Sequence, residues 1–107
     1  MKKYKFSNAD KILFEKIIED ATVDCHDEDE QMSGWFCIIE ENIQVPCKCF
    51  VGKKEAVLKD IDQSEDSILG LVVIGNIKIR TLLEDIYIED KNKMKYINAY
   101  KYWRKYG

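Results

Sequence analysis

Residues 7–21 carry apolar side chains at helical spacing: Ala9, Leu13, Ile17 and Ala21 recur every four positions, joined by Phe14 and Ile18. Lys11, Glu15, Lys16 and Glu19 fall mostly on the opposite side, and Ser7 with Asp10 three residues on makes a partial capping box. The pattern predicts an amphipathic helix, followed by a loop or frayed helix end over 24–33. Trp35 to Ile39 reads as a strand, Glu40-Glu41-Asn42 as a turn, and Ile43 to Phe50 as the returning strand, with Ile43, Val45, Cys47 and Cys49 on one face. Pro46 has no amide proton, which places that strand at an edge or a bulge. Ala56 to Ile61 suggests a short strand, and Asp62–Ser67 an acidic connector. Gly75-Asn76, between the apolar run Ile68–Ile74 and the alternating Ile77–Leu82, is the clearest hairpin signal. Tyr96, Ile97, Tyr100 and Trp103 keep helical spacing, so a helix from about Lys91 to Lys105, with Asp90 as N-cap, closes the chain. The fold class is therefore α+β: an N-terminal helix, four to five mostly antiparallel strands forming a curled sheet or small barrel, and a C-terminal helix.

Composition narrows the reading. A chain of 107 residues with 46% apolar and 11% aromatic content suits one globular domain spanning residues 1–107. The net charge is −3, an unpromising balance for nucleic-acid binding. Lys2 and Lys3 precede a mixed segment and not an apolar signal core, and Ile68–Ile74 is too short to span a bilayer. With no export signal, Cys25, Cys37, Cys47 and Cys49 are expected to be reduced thiols, and the protein cytoplasmic.

Charge is unevenly placed. Asp24, Asp27, Glu28, Asp29 and Glu30 fall within seven residues. Carboxylates this close repel one another unless water, a cation or a basic partner neutralises them. They are hard oxygen donors of the kind Ca²⁺ prefers, and Glu40 and Glu41, or Asp62, Glu65 and Asp66, could complete a shell. An EF-hand loop is not present. Cys25-His26 and Cys47-x-Cys49 lack the usual zinc spacing, and Cys47 and Cys49 read as core residues. Cys25 with the sole histidine beside it makes a poor nucleophile, because neighbouring carboxylates raise its thiol pKa. No phosphate-binding glycine motif or nucleophile elbow occurs, so the chain reads as a non-enzyme.

Several segments resemble the cyanobacterial calcium-binding protein family, CcbP. They are Val23-Asp24, Glu28-Asp29-Glu30, Gly34-Trp35, Glu40-Glu41 and Gln44-Val45-Pro46, with Tyr100-Lys101-Tyr102-Trp103 and Tyr106 similar to the family's aromatic C-terminal end. The resemblance spans most of residues 16–107. It implies a small acidic protein that binds Ca²⁺ through surface carboxylates. The chain departs from the pattern at Phe36-Cys37-Ile38, at Val45-Pro46-Cys47 and at Ala99, and it is richer in lysine. Two functions are expected, the first from the acidic cluster together with the resemblance and the second from the acidic surface alone. The first is Ca²⁺ binding or buffering through Asp24, Asp27, Glu28, Asp29, Glu30, Glu40 and Glu41. The second is an immunity-type inhibitor that neutralises a basic toxin, such as a nuclease, with Asp27, Glu28, Asp29, Glu30, Glu40 and Glu41 as the partner-binding surface.

Overall fold

In the computed structural model, which describes residues 7–106, two helices precede a five-stranded antiparallel sheet and a third helix closes the chain. The helices are α1 (Asn8–Thr22), α2 (Glu28–Asn42) and α3 (Lys91–Tyr106). The strands are β1 (Cys47–Val51), β2 (Lys54–Gln63), β3 (Ile68–Ile74), β4 (Ile77–Leu82) and β5 (Ile86–Tyr87), in the spatial order β4-β3-β2-β1-β5. A single 3₁₀ turn, Leu83–Asp85, links β4 to β5. The sheet is open, with β4 and β5 as its two edges, so of the two expected forms, a curled sheet or a small barrel, the barrel does not form. Lys2 and Lys3 lie outside the described residues.

The largest departure from expectation is α2. Trp35–Ile39, expected as a strand, is helical, and Glu40-Glu41-Asn42, expected as a turn, is the last turn of the same helix. The physical reason is periodicity. Met32, Trp35, Ile39 and Ile43 recur at three- and four-residue intervals and are all buried, which only a helix can bring to one face. Asp27 starts α2 by accepting the Glu30 amide at 2.8 Å. Glu28, Asp29 and Glu30 occupy the first turn, where the helix dipole favours negative charge. The expected loop over 24–33 thus shrinks to the short α1–α2 link, and much of the charge crowding is absorbed at a helix terminus.

The other elements follow their sequence signals more closely. Ser7 caps α1 through a complete capping box with Asp10. The buried face of α1 is Phe14, Ile17 and Ala21, whereas Ala9 and Leu13 are exposed. Asp90 caps α3, accepting the Asn92 amide at 2.9 Å. Pro46 ends just ahead of β1, so the missing amide proton costs no ladder bond. β1 is an interior strand and not an edge, lying between β2 and β5. β2 is longer than expected and takes in Asp62. A bulge between Leu58 and Asp60 keeps Leu58 and Ile61 both on the core side. At the β3–β4 hairpin, Gly75 sits at φ +60°, a conformation glycine adopts without steric cost.

The helices cover one sheet face, and the core lies between the layers. Trp35 is completely buried; its ring meets Tyr100 edge-on at 5.5 Å and Trp103 at 5.6 Å. This aromatic cluster joins α2 to α3. Tyr100 and Trp103 therefore pack inward, as their helical spacing predicts, whereas Tyr106 is exposed, and the fully buried Cys49 is a core residue.

Candidate metal centre

Four carboxylates line one hollow of the fold. A hollow of about 250 Å³ is lined by Glu28, Asp29, Gln31 and Met32 of α2, by Glu65 and Asp66 of the β2–β3 connector, and by Trp103 and Arg104 of α3. Glu28 and Asp29 are placed there by the first turn of α2. Glu65 and Asp66 are placed by the tight link between β2 and β3, in which the Ser64 amide bonds the Ser67 carbonyl at 2.9 Å. Ser67 also donates to the Asp66 carboxylate at 3.2 Å.

The connector is held from behind by α3. The Tyr100 hydroxyl accepts the Ile68 amide at 3.2 Å and donates to Met32 Sδ at 3.8 Å, bridging β3, α3 and α2. Burial, and then the charge of Glu84, push the Tyr100 phenol up to about 12; Arg104 and the Ile68 amide pull the other way. Arg104 donates through Nη1 to the Asp66 carbonyl at 2.8 Å and through Nε to Glu84 at 3.5 Å. Of two residues that sequence reasoning passed over, Arg104 lines the hollow and Glu84 stands behind it as its ion-pair partner. The only available signal was the lone arginine at the C-terminal end of a helix otherwise rich in lysine.

The remaining sequence-predicted acids stand elsewhere. Asp24 occupies the α1–α2 link in a left-handed conformation (φ 58°), which ends α1 and is a conformation aspartate tolerates. One carboxylate oxygen of Asp27 is engaged in capping α2. Glu30 follows Asp29 on the helix but does not line the hollow. Glu40 lines a separate hollow with Asp60, and Glu41 is exposed beside it. At 1.5 Å per residue, Glu40 lies about 18 Å along the axis from Glu28, so the two ends of α2 cannot serve one ion. Asp62 is in β2, within 4.0 Å of Arg80.

Cys25 has a structural role. Its thiol faces the carbonyls of Glu30 at 3.3 Å and Val23 at 3.4 Å, which closes the α1–α2 link. Burial, followed by the charges of Glu30, Asp24 and Asp27, pushes this thiol up, away from the reactive thiolate.

The anionic groups lining the first hollow are all carboxylates, with the Gln31 amide beside them and the Met32 thioether the one sulfur, and no histidine or cysteine among the described lining. That chemistry fits a hard cation such as Ca²⁺ and does not fit Zn²⁺. Among the described residues, no group of three or more Asp, Glu, His or Cys side chains is placed to hold a metal ion. An ion here would be held by an open set of carboxylates, with water filling the remaining positions.

The comparisons with known proteins agree with this chemistry. The family profile described as calcium binding, CcbP, matches residues 15–104. A solved structure of a calcium-binding protein in its calcium-binding form superposes with a TM-score of 0.76 at 19% identity, covering 95% of this chain and 99% of that one. The crystal structure of Anabaena CcbP gives a TM-score of 0.71 at 19% identity, covering 97% and 95%. Among curated protein sequences none matches. At 19% identity the two structures establish the fold, whereas the family profile carries the calcium chemistry.

Proposed function

Because the chain belongs to the CcbP calcium-binding family, we propose that it binds Ca²⁺ at the hollow between the start of α2 and the β2–β3 connector. Its role is binding or buffering, with no catalytic step. The observation that carries this reading is the meeting of Glu28 and Asp29 with Glu65 and Asp66 around one cavity. Those pairs are far apart in sequence, and folding opposes their mutual repulsion. A cation offsets that cost most directly.

Glu28, Asp29, Glu65 and Asp66 supply carboxylate oxygens, and Gln31 offers an amide oxygen. Two features limit affinity. The positive end of the α2 dipole faces the ion's side of the hollow, and all four carboxylates are partly or fully exposed to water. The expected dissociation constant is therefore at the weak end for protein sites, about 10⁻⁵ to 10⁻³ M. Mg²⁺ demands near-octahedral geometry and gives up water reluctantly, so an open site of this kind favours Ca²⁺. Nothing in the fold or the comparisons favours the inhibitor reading.

The test is calorimetric titration of metal-stripped protein with Ca²⁺, using Mg²⁺ as control. Asp29→Asn with Asp66→Asn removes two negative charges at the hollow and should weaken Ca²⁺ by about tenfold or more. Glu40→Gln with Glu41→Gln, at the far end of α2, should leave the affinity as it was. The reverse pattern would move the site to the other hollow. No saturable Ca²⁺ signal would refute the proposal.

A further inference from the structure

Strand β3 is apolar on both of its faces: Ile68, Gly70 and Val72 alternate with Leu69, Leu71 and Val73. An antiparallel sheet covered on one side ordinarily alternates apolar and polar residues, whereas a continuous apolar run marks a strand buried on both sides. Ile68 and Val72 lie in the core, but Leu69, Leu71 and Val73 are half-buried and outside the core cluster, on the face away from the helices. The register sets their neighbours on that outer face. β2 places Asp62, Asp60 and Val57 opposite Leu69, Leu71 and Val73, and β4 places Leu82, Arg80 and Lys78 opposite the same three. Lys59 falls in the β2 bulge and has no place in the register. Lys48 and Glu55 pair with each other at 3.2 Å. An apolar column along β3 is thus flanked by acids on β2 and by bases on β4. Asp62 and Arg80 reach across β3 to within 4.0 Å, at 58% and 67% side-chain exposure, so both stay open to a partner.

We propose that this outer face is a dimerisation surface, with a second copy of the chain stacked sheet against sheet and β3 upon β3. Charge placement selects both the occupant and the symmetry. A two-fold axis along β3 lays each copy's β4 over the other's β2, so Lys78 and Arg80 meet Asp60 and Asp62 on both flanks. A two-fold axis across the strands would stack β4 on β4 and oppose like charges. Edge-to-edge pairing of two β4 strands is disfavoured as well, because the registers joining most of the strand set Arg80 against itself or against Lys78. A purely acidic or purely basic partner would match one flank and be repelled by the other; a second copy matches both. Aligned sheets pack about 10 Å apart with their facing side chains interdigitated. Leu69, Leu71 and Val73 of both copies then form the dry centre, with the exposed Val57 and Leu82 beside them. Four strands about 4.8 Å apart and six residues long span roughly 400 Å² in plan, at the small end for a specific interface. The dimer is therefore reversible, with a dissociation constant of about 10⁻⁵ to 10⁻⁴ M.

The experiment is sedimentation equilibrium of the full-length, metal-stripped chain from about 5 µM to about 500 µM, a range that brackets the expected constant. Wild type should pass from monomer to dimer. Leu71→Glu sets a charge in the dry centre and should weaken association at least about tenfold. Lys78→Glu with Arg80→Glu, and separately Asp60→Lys with Asp62→Lys, put like charges across both flanks, and each should stay monomeric. Mixed in equal amounts, the two charge-reversed chains should associate again, since the acidic β4 of one then meets the basic β2 of the other. All four of these residues are exposed, so both charge-reversed chains should keep the wild-type circular dichroism; if Leu71→Glu fails to fold, they decide alone. A wild type that is monomeric throughout overturns the proposal and leaves the face to a different protein. A dimer that survives both charge reversals, or reversed chains that ignore each other when mixed, overturns it too.

Discussion

Gly34 lies where α1 and α2 cross, and replacing it with alanine sets two effects of opposite sign against each other. Alanine is the better helix former, and in an exposed helix the exchange would stabilise the protein by about 1 kcal/mol. Here a Cβ on Gly34 would collide with the main-chain carbonyl oxygen of Ala21, while standing 3.2 Å from its carbonyl carbon and 3.5 Å from Cys25 Sγ. A backbone oxygen inside α1 cannot rotate aside as a side chain could. The two helices must separate, opening the packing around the buried Ala21 and Trp35. Overpacking of this kind costs about 1–3 kcal/mol even where side chains can give. With a rigid partner the collision outweighs the propensity gain, for a net loss of about 2 kcal/mol. For a domain of this size that corresponds to a fall in Tm of roughly 10 °C. Urea or thermal denaturation of metal-free Gly34→Ala measures it, and Ca²⁺ affinity should fall as well, since α2 carries Glu28 and Asp29. A variant as stable as wild type, or more so, would refute the close crossing and with it the placement of α2.

Further outcomes follow from the same geometry. Asp27→Ala should lose about 1 kcal/mol by uncapping α2, whereas Asp27→Asn, also a good cap, should be nearly neutral; denaturation of the pair separates a capping role from a purely electrostatic one. Tyr100 binds its proton more tightly in the folded chain, with a pKa near 12 against 10.0 for the free side chain. Its contribution to stability is thus intact below pH 10 and is lost as pH rises from 10 towards 12, where the unfolded chain gives up the proton first. Tyr100→Phe should be less stable at neutral pH by about 1–3 kcal/mol, because the buried Ile68 amide loses its acceptor. The same variant should show a shallower alkaline fall in stability, and an unchanged alkaline slope would argue against the buried phenol.

Periodicity of apolar residues at separations of two to four positions determined most of this architecture without help from tertiary contacts. The Gly75-Asn76 hairpin, the Ser7 and Asp90 caps and the inward stripe of α3 are all local in origin, since each depends on hydrogen bonds or side-chain faces within a few residues. The segment Trp35–Ile39 shows where local propensity misleads. Its aromatic and β-branched residues favour a strand, but the longer spacing from Met32 to Ile43, with the Asp27 cap and the acidic first turn, favours the helix that forms. The acidic character of residues 24–30 was evident from the chain alone. Which of those acids share a hollow was not, because Glu28 and Asp29 line one with Glu65 and Asp66 only when α2 lies beside the β2–β3 connector. The tertiary structure likewise decided that Glu40 and Glu41 stand apart, that Asp27 serves as a cap, and that Arg104 enters the hollow. Charge is a property of composition, but the field a cation meets depends on distances of a few ångströms between residues remote in sequence, and only the packed fold sets those distances.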